Sequence, residues 1–258
     1  MKVPNRWEKC PKRGQIVADR FIPFKTPLDS KYNNFLSESD RFHVETMIQN
    51  PNKHTVSMII DLTKTTSYYN SGVVLDLNCQ YLKIECEGFS EPPTIENVKA
   101  FMKGCREFFE THPNELIGVH CTHGFNRTGF LIISYLVEHE GWCLIAAYKA
   151  FCICRPPGIY KNHYLVELNK RYGNSEDGDM IPIDEELNPP DWDKENSCAN
   201  EENSNEFYES KTDSKTKELL GVKSLDQDNL KTVRNLQAIF SKFLKSKDQS
   251  KFPGISLI

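Results

Sequence analysis

A cysteine and an arginine six positions apart, Cys121 and Arg127, stand in a short polar loop between two apolar runs. This pair constrains the chain more than any other feature. Before the loop, residues 116–120 include Leu116, Ile117, Gly118 and Val119 and predict a buried strand. After it, residues 128–137 carry Phe130, Leu131, Ile132, Ile133, Tyr135, Leu136 and Val137 and predict a helix. Cys121 then falls at a strand's C-terminal end, and the loop's backbone N–H groups lead into a helix N-terminus. Such N–H groups and the helix dipole draw in an anion, above all a phosphate. The same field lowers a cysteine pKa, and the thiolate is the reactive nucleophile. A guanidinium at Arg127 grips two phosphate oxygens at once. The loop reads as a phosphate cradle with a nucleophile at its floor.

The rest of the first 173 residues alternates strand and helix signals. Residues 55–62 predict a buried strand and residues 80–86 another. Thr94, after Pro92 and Pro93, is an N-cap for a helix whose apolar face is Ile95, Val98, Met102, Cys105, Phe108 and Phe109, ended by Pro113. A further helix follows Gly141 with Leu144, Ala147, Tyr148 and Phe151 on one face, and residues 155–158 break it. A last helix starts at Asn162 or His163 and closes at Gly173. This alternation predicts an α/β fold, a mostly parallel central sheet flanked by helices. Ligands of such sheets bind beyond the strand C-termini, where Cys121 falls.

The net charge of −4 conceals a division: residues 1–173 carry +3, residues 174–209 carry −12 and residues 210–258 carry +5. The acidic block, rich in Pro, Asn and Ser, reads as a disordered linker over 174–209. Residues 210–258 read as a helix-capable tail too short for its own core. No run of eighteen apolar residues predicts a membrane span, and the first residues lack an apolar signal core. Nine cysteines without a CxxC pair read as reduced, intracellular thiols rather than a zinc site.

The loop matches His-Cys-x5-Arg-Ser/Thr, the signature of the cysteine-dependent phosphatases. Further blocks narrow the resemblance: Arg6 and Trp7 through Cys10, Pro11, Lys12, Arg13, Gly14 and Gln15; then residues 21–26; then Arg155, Pro156, Pro157, Gly158, Ile159, Tyr160 and Lys161. Together they resemble the RNA 5′-triphosphatase domain of animal mRNA-capping enzymes over about residues 4–173. The resemblance implies a cysteine-phosphatase fold that removes the γ-phosphate from the 5′ end of nascent RNA without metal or other cofactor. It implies nuclear residence, and as partners 5′-triphosphate RNA, a guanylyltransferase and the phosphorylated tail of RNA polymerase II. No Lys-x-Asp-Gly motif of a guanylyltransferase occurs, while residues 252–258 resemble the approach to that domain, so 210–258 reads either as a partner-binding helix or as the start of a missing second domain.

On this reading Cys121, Arg127, His120 and Thr128 are the catalytic residues. Cys121 attacks phosphorus, Arg127 binds the equatorial oxygens, His120 orients the loop, and the Thr128 hydroxyl supports the leaving thiolate. Thr122, His123, Gly124, Phe125, Asn126 and Arg127 line the phosphate, with Gly124 and Gly129 letting the backbone bend. Asp61, Glu91, Arg155 and Lys161 are auxiliary candidates. Protein phosphatases carry an acidic Asp some thirty residues before the cysteine; here no Asp lies between Asp76 and Cys121, and Glu91 is nearest in spacing. A weakly basic leaving group such as a β-phosphate needs such an acid less. Two alternatives stay open from the residues: a dual-specificity protein phosphatase, and a non-catalytic binding module of the capping machinery.

Overall fold

The computed structural model describes residues 2–48, 56–88, 91–183 and 189–193. Its sheet is built from four parallel strands, β1 (Phe21–Lys25), β2 (Val56–Asp61), β3 (Gln80–Lys83) and β4 (Leu116–Cys121), in the order β1-β4-β2-β3. Every residue of β4 is buried, as a central parallel strand covered on both faces requires. Register aligns the strand ends: Lys25 lies opposite Cys121, and Asp61 opposite both His120 and Lys83. Those side chains are thereby gathered at one edge of the sheet.

β2 and β3 are shorter than expected, and β4 runs one residue further, to Cys121. Thr55 lies outside the described residues. Hydropathy reading does not pick out β1, because Pro23 interrupts it; Pro lacks an N–H and is confined to sheet edges. β1 is such an edge strand, and there the Pro23 carbonyl accepts from the Gly14 N–H at 2.7 Å.

Among the described residues six α-helices accompany the sheet: α1 (Val44–Ile48), α2 (Gly72–Asp76), α3 (Ile95–Thr111), α4 (Asn126–Glu138), α5 (Leu144–Cys154) and α6 (Asn162–Tyr172). Strand side chains alternate between faces. Ile22, Phe24 and Ile59 join Val44, Met47 and Val74 of α1 and α2 in one core. Phe21 points the other way, its ring 5.9 Å from Phe101 and 5.1 Å from Tyr135 of α3 and α4. α3 opens with the expected Thr94 cap, completed by Asn97 as a capping box. Its buried face includes Phe101, while Ile95, at the first turn, is 57% exposed. α4 is buried along most of its length and packs on β4 and β1 between α3, α5 and α6.

The chain divides into two units, residues 1–194 and 195–258, and every described residue belongs to the first. The tail expected over 210–258 lies outside the described residues, as do residues 184–188 and 194–209 of the expected linker. The described part of that expected linker is largely exposed but is tied to the fold at particular residues. Asn174 pairs with Asp179 in a β-bridge. The Asp179 carboxylate accepts from the backbone N–H groups of Leu144 and Ile145 at 2.7 and 2.8 Å. It caps α5, whose own N-cap residue Cys143 supplies no side-chain hydrogen bond. Ile181 is buried, with its N–H and C=O both bonded to the Asn169 amide at 2.8 Å. Charge counting missed this because a carboxylate spent on a helix end looks like any other acid in sequence.

Candidate active site

Cys121 closes β4 and is 4% exposed, with the Gly124 N–H donating to its Sγ at 3.3 Å. Burial, the largest influence, pushes its thiol up. The Arg127 charge, the hydroxyl and N–H of Thr128 and the Gly124 N–H together overcome it, and the thiol ionises below the ordinary cysteine value. Gly124 must be glycine: its φ is +73°, and a Cβ would lie 2.1 Å from the Phe24 carbonyl oxygen. Gly129 serves packing rather than bending; a Cβ there would meet Phe151 at 2.5 Å.

Arg127, in the first turn of α4, is aimed by carbonyls from two other loops. Its Nη1 donates to Leu62, Cys86 and Glu87 oxygens at 3.3, 3.2 and 3.3 Å, and its Nη2 to the Thr122 hydroxyl at 3.0 Å. Those fix the guanidinium plane beside the sulfur.

His120 is fully buried beneath the loop. Its Nδ1 lies 3.2 Å from the Cys121 carbonyl, which can only accept, so Nδ1 carries the proton and Nε2 accepts from the Tyr69 hydroxyl at 2.7 Å. Burial holds its pKa below the usual histidine value against the pull of Asp61, 3.7 Å away. A neutral, doubly bonded imidazole is thus held against the Cys121 peptide. Tyr69 carried no signal in the sequence, because it reaches His120 only through the fold.

Several candidates turn out to support the cradle rather than enter it. Asp61 Oδ1 accepts from the N–H and hydroxyl of Thr63 at 2.8 and 2.7 Å, and its Oδ2 from Tyr81 and Lys83, both at 2.9 Å. Burial raises its pKa most, yet the Lys83 ammonium and the Thr63 N–H, with His120 adding to them wherever it is protonated, hold it below the usual carboxylate value. A carboxylate so held is a structural anchor, not a proton donor. Arg155, 1% exposed, donates from Nε to the Gly124 carbonyl at 3.3 Å and from Nη2 to those of Pro11 and His123 at 2.8 and 2.9 Å. It braces the outer side of the loop through these carbonyls. Phe125 is buried under that guanidinium, 4.2 Å from ring centroid to Cζ. Asn126 Oδ1 accepts from the N–H groups of Tyr160 and Lys161 at 3.0 and 3.2 Å, so its side chain holds the following loop. His123 turns outward, its Nε2 2.8 Å from the Asn5 carbonyl. Glu91 is exposed and held through its carbonyl by the Tyr164 hydroxyl at 3.0 Å. Lys161 stays beside the loop: burial chiefly holds His123 below the usual histidine value, and the Arg127 and Lys161 charges add to that.

The cradle can therefore hold a thiolate against an anion, with N–H groups and one fixed guanidinium around it. Among the described residues no group of three or more His, Cys, Asp or Glu is placed to hold a metal ion, and no helix is long and apolar enough to cross a membrane.

Comparison with known proteins agrees with this geometry. Residues 42–173 match the dual specificity phosphatase catalytic domain. The chain is 46% identical to the mRNA-capping enzyme of Mus musculus over 194 residues, and 47% identical to that of Danio rerio over 183. These cover 74% and 70% of this chain but 32% and 30% of the relatives, so the chain spans about a third of their length. It is 35% identical to the RNA/RNP complex-1-interacting phosphatase homolog of Caenorhabditis elegans, covering 67% of this chain and 80% of that one. By its matched domain, the chain belongs to the dual specificity phosphatase family.

Proposed function

We propose that this domain is an RNA 5′-triphosphatase that removes the γ-phosphate from the 5′ end of nascent RNA. The observation that carries the reading is the low-pKa Cys121 facing a rigidly aimed Arg127, in a chain similar to mRNA-capping enzymes. The Cys121 thiolate attacks the γ-phosphorus. The bond from that phosphorus to the β–γ bridging oxygen breaks, and diphosphate-ended RNA leaves with the electron pair. Nη1 is committed to carbonyls, so Arg127 meets the equatorial oxygens through Nε and Nη2. Water then attacks the cysteinyl-phosphate, the S–P bond breaks, and the thiolate returns to the Thr128 hydroxyl as inorganic phosphate departs.

The leaving group favours an anhydride substrate. Asp61 is saturated with donors, and the Glu87 carboxylate is paired with Lys64 at 2.5 Å. A β-phosphate departs without protonation far more readily than a seryl or tyrosyl oxygen. Nuclear residence, and a guanylyltransferase and the phosphorylated polymerase tail as partners, follow from the capping reading.

Release of labelled γ-phosphate from triphosphate-ended RNA, measured beside release from a phosphotyrosine peptide, tests the substrate. Faster release from RNA, insensitive to EDTA, is expected. Faster release from the peptide would favour the second reading, a protein phosphatase, which the family match itself supports.

A further inference from the structure

The family match covers residues 42–173, yet the rear of the cradle is held by residues on both sides of that stretch. From the N-terminal side, the Asn5 carbonyl meets His123 Nε2, and the Cys10 thiol donates to the His123 carbonyl at 3.4 Å. From the C-terminal side, Trp192 sets its ring 5.5 Å from that of His123, 5.2 Å from Phe125 and 5.9 Å from Tyr160. The two flanks are also tied to each other. Arg6 donates to the Asp193 carbonyl and, at 3.1 Å, to its carboxylate. Arg6 does so from a left-handed backbone, φ 59°, which a residue with a Cβ adopts only when its surroundings hold it there.

We propose that residues 5–10 and 189–193 form one clasp behind the phosphate cradle, and that Trp192 is a positioning residue for the loop. A loop that turns its N–H groups toward an anion must turn carbonyls and side chains outward. Those carbonyls are already taken: Thr122 accepts from the Thr26 N–H at 3.1 Å, and His123 and Gly124 from Arg155. The outward side chains, His123 and Phe125, are what Trp192 packs against. Rotating either peptide would displace an indole from three rings, so the clasp raises the cost of any loop conformation with its N–H groups averted. The functional boundary of the catalytic unit therefore falls after Asp193, although the family match ends at residue 173.

The proposal rests on the loop being an anion site, not on RNA being its substrate, so orthovanadate is the probe. The whole chain, Trp192→Ala, Trp192→Phe and Arg6→Gln are titrated with orthovanadate by calorimetry and melted in parallel. Trp192→Ala should bind about tenfold more weakly, equivalent to about 1.4 kcal/mol. Trp192→Phe, which keeps an aromatic face, should return to within about twofold of wild type. Arg6→Gln, which leaves Trp192 in place, should weaken binding by about threefold and reports even where the alanine variant does not fold. Wild-type affinity in Trp192→Ala, or in Arg6→Gln with the alanine variant unfolded, would overturn the clasp, as would a phenylalanine variant no better than alanine. A wild-type chain that ignores orthovanadate would overturn the anion site itself.

Discussion

Replacing Thr128 by valine separates the stabilisation of the thiolate from the stability of the fold. Thr128 is fully buried, and its Oγ1 has no ordinary hydrogen-bond partner among the described residues; its electrostatic effect falls on the Cys121 sulfur. Burial works against the thiolate most strongly, and the Arg127 charge, the Thr128 hydroxyl and the nearby N–H groups must outweigh it. A hydrogen bond to a charged group contributes about 1.5–3 kcal/mol, and each pH unit corresponds to about 1.36 kcal/mol. Valine should therefore move the midpoint of Cys121 ionisation up by about 1–2 pH units. It conserves shape and removes a hydroxyl that has no other partner, so the melting temperature should hold or rise. The assay is the rate of Cys121 alkylation by iodoacetamide against pH, followed by peptide mass spectrometry. Thr128→Ser keeps the hydroxyl and should keep the midpoint. An unmoved midpoint in the valine variant refutes the assignment of this hydroxyl to the sulfur; an equal rise in the serine variant assigns the effect to packing instead.

Gly124→Ala should abolish orthovanadate binding and turnover, because its Cβ would strike the Phe24 carbonyl at a left-handed φ; binding within a few-fold of wild type would contradict the rigid cradle. Asp61→Asn should cost about 3 kcal/mol in urea unfolding, since it strips charge from a buried carboxylate paired with Lys83. Asp61 ionises below its unfolded value, so its contribution is complete above about pH 4 and fades as pH falls through the folded value. The variant should lack that acid-side loss, and parallel pH–stability curves would refute the pairing. Cys10, Cys79, Cys86 and Cys154 are pushed up to about 12 by burial. At neutral pH iodoacetamide should therefore mark Cys121 well ahead of them. The four raised thiols contribute fully below the ordinary thiol value, and that contribution is lost as pH climbs toward 12, so the melting temperature should fall above about pH 9. A flat curve there would show these thiols accessible.

The strand, the loop and helix α4 were legible because each depends on neighbours along the chain. The apolar run of residues 116–120, the Cys121–Arg127 spacing and the Thr94 cap act over a few residues and leave periodic traces. β1 was hidden by Pro23, whose missing N–H is harmless only at an edge that the sequence does not mark. Arg155 and Arg127 look alike as letters; one meets carbonyls behind the loop and the other faces the sulfur side. Trp192, a lone indole after two prolines in an acidic stretch, was the one hint that this segment folds back.

By itself, then, the sequence determined a parallel α/β scaffold and the place of the Cys121–Arg127 turn between a strand and a helix, since both follow from local periodicity and backbone direction. Only the tertiary structure decided which charges reach the cradle and which brace it. Asp61, Arg155 and Asn126 were assigned to support because burial and distant donors and acceptors exhaust their polar atoms. Packing also brought Asp179 to the N-terminus of α5 and Trp192 onto Phe125, contacts between residues that lie far apart along the chain.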